Sequence, residues 1–214
     1  MSVYDYLIKY IIIGNSGVGK SNITMRFLYQ KFWDNYVPTI GVEYGTKNII
    51  IDDVNYRIQI WDTAGQENYR SITRSYYTNS SCAFIVYDVT NKNSFKDIQD
   101  WINDCRKYSK NSILYVLIGN KIDLDNERII TYEEGEKYAK NNGMLFFEVS
   151  ALTGENIDNC FISSIKNISE RIKKGLYNLT NPNCGIKLGS SMLISIDNKK
   201  NENEIKNNRK LCCQ

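Results

Sequence analysis

The chain has 214 residues, 42% hydrophobic and 24% charged, with two Pro. That composition supports one domain with a real core and excludes wholesale disorder. The formal net charge is +3, and the six Lys and Arg against three Asp and Glu after residue 174 account for it, so the neutral body lacks the basic face that nucleic-acid binding needs.

No apolar run approaches the roughly 18 residues that cross a bilayer. Met1–Tyr6 has no basic stretch followed by an apolar core, so no signal peptide is expected. Ser2 in place of Gly excludes N-myristoylation. The six Cys come with no His and no C-x-x-C spacing. A zinc site is therefore not expected, a His-dependent triad is excluded, and the thiols should stay reduced.

In chain order, Leu7–Ile13 is an apolar run ending at Gly14 and reads as a buried strand. Residues 21–31 place Ile23, Phe27 and Leu28 on one helical face. Residues 47–52 and 55–61 form a hairpin around Asp52-Asp53-Val54-Asn55. Further strands are expected at 82–87, 113–118 and 144–149, with helices near 94–109, 132–141 and 156–173. The alternation predicts an α/β fold: a six-stranded, mostly parallel sheet with one antiparallel edge strand and helices on both faces. Gly175 follows a basic last turn and stops the final helix. Residues 5–174 are thus expected to form the domain. Residues 175–214, rich in Asn, Ser, Lys and Gly, read as a flexible tail. As a coil the tail would span roughly 35 Å root-mean-square.

Gly14-Asn15-Ser16-Gly17-Val18-Gly19-Lys20-Ser21 fits G-x-x-x-x-G-K-[ST] between a predicted strand and a predicted helix. Such a loop curls its backbone N–H groups around a phosphate chain. The helix beginning near Asn22 points its N-terminus at the anion. Lys20 can reach the outer phosphates and Ser21 can ligate Mg²⁺. The loop says nucleoside triphosphate without saying which. Asn120-Lys121-Ile122-Asp123, after a predicted strand, selects among them. A carboxylate there can accept the ring N1–H and amino group of guanine, a pairing that adenine cannot offer. Trp61-Asp62-Thr63-Ala64-Gly65-Gln66 also follows a strand. Asp62 can hold Mg²⁺ through a water, Gly65 can offer its N–H to a γ-phosphate and Gln66 can orient the attacking water.

Together these motifs resemble the Ras superfamily of small GTPases over roughly residues 5–174, with Val37-Pro38-Thr39-Ile40-Gly41 and Ser150-Ala151-Leu152 completing the order. The resemblance implies GTP or GDP as ligand and Mg²⁺ as cofactor. It makes Thr39 the switch residue on Mg²⁺ and the γ-phosphate, Phe32 the aromatic against guanine and Lys121 the cover of its other face. Ala151 would offer a backbone N–H to the base oxygen. Leu152 departs from the commoner Lys.

Within the superfamily the chain resembles the Rab branch, in Ile40–Tyr44, Gln59–Asp62, Arg70–Tyr77 and Val86–Thr90. That resemblance places Ile40, Gly41, Tyr44, Trp61 and Tyr76 at an effector surface. Spacing alone would instead put the three aromatics in the core. Tyr44 replaces the usual Phe, Asn68 stands where Arg is common, and Thr78-Asn79-Ser80 replaces Arg-Gly-Ala. These departures concern partners, not the nucleotide. Implied partners are an exchange factor, a GTPase-activating protein, a GDP dissociation inhibitor, a prenylation escort protein and effectors. Leu211-Cys212-Cys213-Gln214 is not a C-a-a-X box. In a Rab-like chain it resembles the doubly geranylgeranylated type, and two lipids anchor where one is marginal. Leu193-Ile194-Ser195-Ile196 reads either as the escort-protein motif or as a bland apolar island.

The expected function is a GTP-hydrolysing switch in vesicle-mediated transport on the cytoplasmic face of an endomembrane, with a cytosolic pool. Residues 150–156 and 185–189 resemble the early-endosome recycling Rabs, whereas Ile72–Tyr77 is shared with Rabs acting between endoplasmic reticulum and Golgi. Two rivals are a metabolic phosphate-loop kinase, for which no Arg-rich lid is visible, and a GTP-binding scaffold that does not hydrolyse.

Overall fold

The computed structural model describes residues 4–34, 38–66, 70–109, 113–181, 183–190 and 192. At its centre lies β1 (Tyr6–Ile13). It pairs in parallel with β3 (Val54–Thr63) on one side and β4 (Cys82–Asp88) on the other. Beyond β4 come β5 (Leu114–Asn120) and β6 (Leu145–Val149), also parallel. The opposite edge is β2 (Val42–Ile51), antiparallel to β3 through a two-residue turn. Both turn residues, Asp52 (φ 50°) and Asp53 (φ 61°), are left-handed, the conformation that matches strand twist in tight hairpins. The strand order is β2-β3-β1-β4-β5-β6. These six strands form the mostly parallel sheet with one antiparallel edge strand that the sequence predicts, and a seventh, short antiparallel strand joins it off this path.

Alternate residues of β1 feed two cores. Ile8, Tyr10 and Ile12 face α1 (Lys20–Tyr29) and α6 (Ile157–Lys173), where Phe27 and Phe161 stack at 3.7 Å. Ile11 and Ile13 face the layer built from α2 (Arg70–Tyr77), α4 (Ile98–Tyr108) and α5 (Tyr132–Asn141). Buried on both faces, the strand reads as a continuous apolar run. The helix expected over 94–109 is two: α3 (Lys92–Lys96), capped by the Asn91 side chain, and α4, with the break at Asp97. Thr131 and Glu134 form a reciprocal capping box at the start of α5.

One expectation needs correction. The chain beyond 174 does not leave the domain at once. Tyr177, Cys184 and Ile186 are buried, and β7 (Ile186–Leu188) pairs antiparallel with Tyr6–Ile8. β4 occupies the Tyr10–Ile13 half of the same β1 edge, so β4 and β7 abut at Lys9. There Lys9 N–H donates to the Gly185 carbonyl and Ser81 N–H donates to the Lys9 carbonyl. The anchors share no single sustained period, and the strand has three residues. No periodic signal could mark them.

Candidate functional site

The connection after β1 runs through α1 to one side of the sheet and that after β4 runs through α4 to the other, and ligands of open α/β sheets bind at the carboxyl ends of the strands at such a point. A cavity of about 450 Å³ opens at that place. Of the predicted nucleotide residues, Ser16, Gly17, Gly19, Lys20, Ser21, Asn22, Phe32, Thr39, Gly65, Asn120, Lys121, Asp123, Ala151 and Leu152 line it. Val18 and Ser150 do not. They are buried behind the lining and act through their partners.

The phosphate end is built on α1. Its N-cap Gly19 is left-handed (φ 95°) and no side chain caps the first turn, so those N–H groups face the cavity. Lys20 is buried, with Nζ donating to the Gly14 carbonyl at 2.9 Å and the Asn15 carbonyl at 2.8 Å. Burial lowers its ammonium to about 8, with Asp62 opposing the shift. Asn15 braces the loop from outside: its side-chain Nδ2 donates to Asp97 at 2.6 Å and its Oδ1 accepts Trp101 Nε1–H at 2.7 Å. The motif gave Asn15 no role, because its partners lie more than eighty positions away in the sequence.

Three oxygens expected to hold a metal converge beside this loop. Ser21 Oγ lies 2.8 Å from Thr39 Oγ1, and the Ser21 hydroxyl donates to Asp62 Oδ2. Asp62 Oδ1 is buried with no hydrogen-bond partner. Burial raises the Asp62 carboxyl to about 6, against the pull of Ser21 and Lys20. A hard cation would remove both the orphaned oxygen and the desolvation cost, and hydroxyl plus carboxylate oxygens suit Mg²⁺. The donor set fits.

Gly65 closes the outer side. A Cβ there would stand 2.5 Å from Lys20 Nζ and from Ser16 N. Gln66 follows half-buried, outside the cavity lining.

At the other end, Asn120 is a bracket: Nδ2 donates to the Val18 carbonyl at 2.8 Å and Oδ1 accepts Ala151 N–H at 3.1 Å. The N–H that the resemblance assigns to the base oxygen therefore goes to Asn120 here. Lys121 is left-handed (φ 72°) and its ammonium pairs with Asp88 at 2.6 Å, leaving its stem along the cavity wall. Ser150 Oγ donates to Asp123 Oδ1 at 2.5 Å, which orients the carboxylate. Phe32 lines the wall, as expected.

Besides Asn15, sequence reasoning missed five contributors. Trp33, Asp34 and Leu124 line the cavity as neighbours of motif residues. Arg26 donates to the carbonyls of Ala151, at 3.0 Å, and of Leu152, at 2.5 Å. Arg128 grips Glu148 with two bonds, at 2.8 and 3.0 Å, and ties the turn carrying Asp123 to β6. The two arginines lie outside any motif and could be found only from the fold.

The aromatic trio is not core as a whole: Tyr76 packs against the second buried cluster, and the other two lie outside both. Tyr44 and Trp61 stand 4.8 Å apart and Trp61 and Tyr76 5.0 Å, in one contiguous cluster. Tyr44 is 52% exposed, and neither Tyr44 nor Trp61 belongs to either buried cluster. β2 is an edge strand and lies over the end of β3 there, so its outer side chains meet no covering helix. Ile40 is 80% exposed, and Gly41 is left-handed (φ 79°). Cys212, Cys213, Leu193–Ile196 and Asn68 lie outside the described residues. No helix among the described residues is long and apolar enough to cross a membrane.

A phosphate loop at the sheet's switch point, an oxygen triad beside it and a carboxylate-bearing loop at the far wall define a nucleotide-binding protein of the phosphate-loop class. A model of the Ras family matches residues 9–170, and the chain belongs to that family: it is a small GTPase, a GTP-binding switch.

Proposed function

We propose that this switch is of the Rab type and controls vesicle-mediated membrane transport, anchored through Cys212 and Cys213 to an endomembrane. The observation that carries the reading is the Tyr44–Trp61–Tyr76 cluster, with Tyr44 exposed and the other two half-buried, which spans β2, β3 and α2. Partly exposed aromatics of this kind are enriched where partners bind. GTP would order the segments around Thr39 and Gly65, and its hydrolysis would release them. An exchange factor, a GTPase-activating protein, a GDP dissociation inhibitor, a prenylation escort protein and effectors are the corresponding partners. Early-endosome recycling is the transport step favoured by residues 150–156 and 185–189. The Ile72–Tyr77 stretch supports the alternative between endoplasmic reticulum and Golgi.

In the proposed mechanism Ser21, Thr39 and Asp62 hold Mg²⁺, which when bound offsets charge on the β- and γ-phosphates. Lys20, already held over the loop by two carbonyls, stabilises the developing charge. Gln66 orients the water, entering the site from its place just outside the lining. No arginine among the described residues lines the cavity. Intrinsic turnover is therefore slow, of order 10⁻⁴ to 10⁻³ s⁻¹, until a partner supplies that charge.

The test is live-cell localisation of the N-terminally tagged chain beside a Cys212→Ser/Cys213→Ser double variant. A single compartment for the wild type and diffuse signal for the variant support the lipid-anchored switch, and the compartment identifies the step. Identical patterns would sink the anchor and leave only the guanine-nucleotide switch.

A further inference from the structure

Asn22 follows the metal-ligand candidate Ser21, and its side chain is turned to Trp33. Its Nδ2 donates to the Trp33 carbonyl at 3.2 Å, and its Oδ1 accepts Trp33 N–H at 2.9 Å. The Asn22 amide thus pairs with both main-chain polar groups of one residue eleven positions on. That residue sits between Phe32 and Asp34, and all three line the cavity. Phe32 packs against the first core cluster, but Trp33 is 50% exposed and belongs to neither cluster, so apolar burial holds the start of the segment and not its middle. α1 itself ends at Tyr29, with Gln30 left-handed (φ 57°), so the helix does not carry the segment either.

We propose that Asn22 is a positioning residue that latches the Phe32–Asp34 segment to the first turn of α1 and thereby slows release of the bound guanine nucleotide. The inference rests on the reading of this cavity as the GTP and GDP site. One end of the latch is fixed to the phosphate-binding turn and the other to the wall beside the base. A nucleotide leaving sideways has to displace that wall. Opening it breaks two hydrogen bonds when the latch is present and none when it is absent. The latch acts on GDP and GTP alike, because neither of its ends is a residue assigned to the γ-phosphate, Thr39 or Gly65. It is also independent of hydrolysis, whose candidate groups Lys20 and Gln66 it does not touch.

The experiment uses the full chain loaded with mant-GDP in Mg²⁺ and chased with excess GDP. Asn22→Ala keeps the backbone N–H of residue 22 and removes only the amide. Release is expected to quicken about tenfold, the scale set by two hydrogen bonds of ordinary strength. Single-turnover GTP hydrolysis should move far less, under about threefold. Energy transfer from Trp33 to the mant group, isolated by subtracting the Trp33→Phe chain, should fall in the Asn22→Ala protein. Release within about twofold of wild type would overturn the latch. So would release, hydrolysis and melting temperature changing together, which is the mark of a weakened fold. Failure of the wild type to bind mant-GDP at all is a different result: it removes the GTP-binding reading, and the latch with it.

Discussion

Lys9 Nζ donates to the Tyr76 carbonyl at 2.9 Å and lies 5.2 Å from the centre of the Trp61 ring. A second bond, to the Thr78 carbonyl at 2.9 Å, closes the end of α2. The same residue's backbone N–H meets Gly185. Lys9 therefore underpins the aromatic surface and adjoins the β7 segment. Burial lowers its ammonium from the ordinary 10.5 to about 8. Between those values the unfolded chain holds a proton that the folded chain has released, so folding stability rises with pH across this window. Lys9→Met should lose that rise. It also leaves the Thr78 carbonyl without its donor, at a cost of about 1–3 kcal/mol. Urea unfolding of both proteins at pH 7.5 and 9.5 checks this: the gap between them should widen at the higher pH.

Gly65 and Lys20 make a second close relationship. A Cβ on residue 65 has nowhere to go, since the loop backbone at Ser16 and Asn15 blocks it as much as the Lys20 ammonium does. Gly65→Ala should push the segment off the phosphate loop. A steric displacement of about 1–3 kcal/mol amounts to roughly tenfold to hundredfold in affinity. The loss should fall on GTP and spare GDP, because only the triphosphate would use the Gly65 N–H. Equal losses for both nucleotides, measured by titration, would contradict the geometry.

At the base end, Ser150 occupies one oxygen of Asp123 and aims the other at the cavity wall. Asp123→Asn replaces an acceptor with a donor, which guanine cannot satisfy. GTP affinity should drop by about a hundredfold or more, and xanthosine triphosphate should gain in its place. Ser150→Ala removes only the orienting hydroxyl, and about tenfold is expected. Competition binding with the two triphosphates separates these effects.

The sequence displayed most of this site because phosphate and guanine recognition need short contiguous motifs at strand ends. Lys20, Asp62 and Asp123 could be placed from their neighbours alone. Asn15, Arg26 and Arg128 could not, since each works through residues distant in the chain or through a carbonyl that any sequence would supply. The aromatic trio misled for a related reason. Spacing reports which residues share a face, but only the sheet order shows that β2 has no neighbour beyond it. In the 175–189 stretch, three buried anchors sit among Asn, Gly and Thr, and composition outvoted them.

That stretch supports the last prediction. Tyr177 reaches the Ser81 carbonyl at 3.2 Å, and Gly185 lies against Asn79 and Ser80, the positions where the chain departs from the Rab pattern. A Cβ at Gly185 would meet Ser81 N at 2.5 Å, so the segment and the end of α2 are fitted to one another. Ile186 is 2% exposed in the core shared with α6. Ile186→Ala should cost about 2–5 kcal/mol, as for a fully buried large-to-small change. Ending the chain after Gly175 should cost more. β7 pairs with Tyr6–Ile8, whereas the phosphate loop leaves the far end of β1. GDP affinity of the Ile186→Ala protein should therefore shift far less than its unfolding midpoint. If urea unfolding finds the truncated chain as stable as the full one, the segment is not part of the domain, and the boundary returns to residue 174.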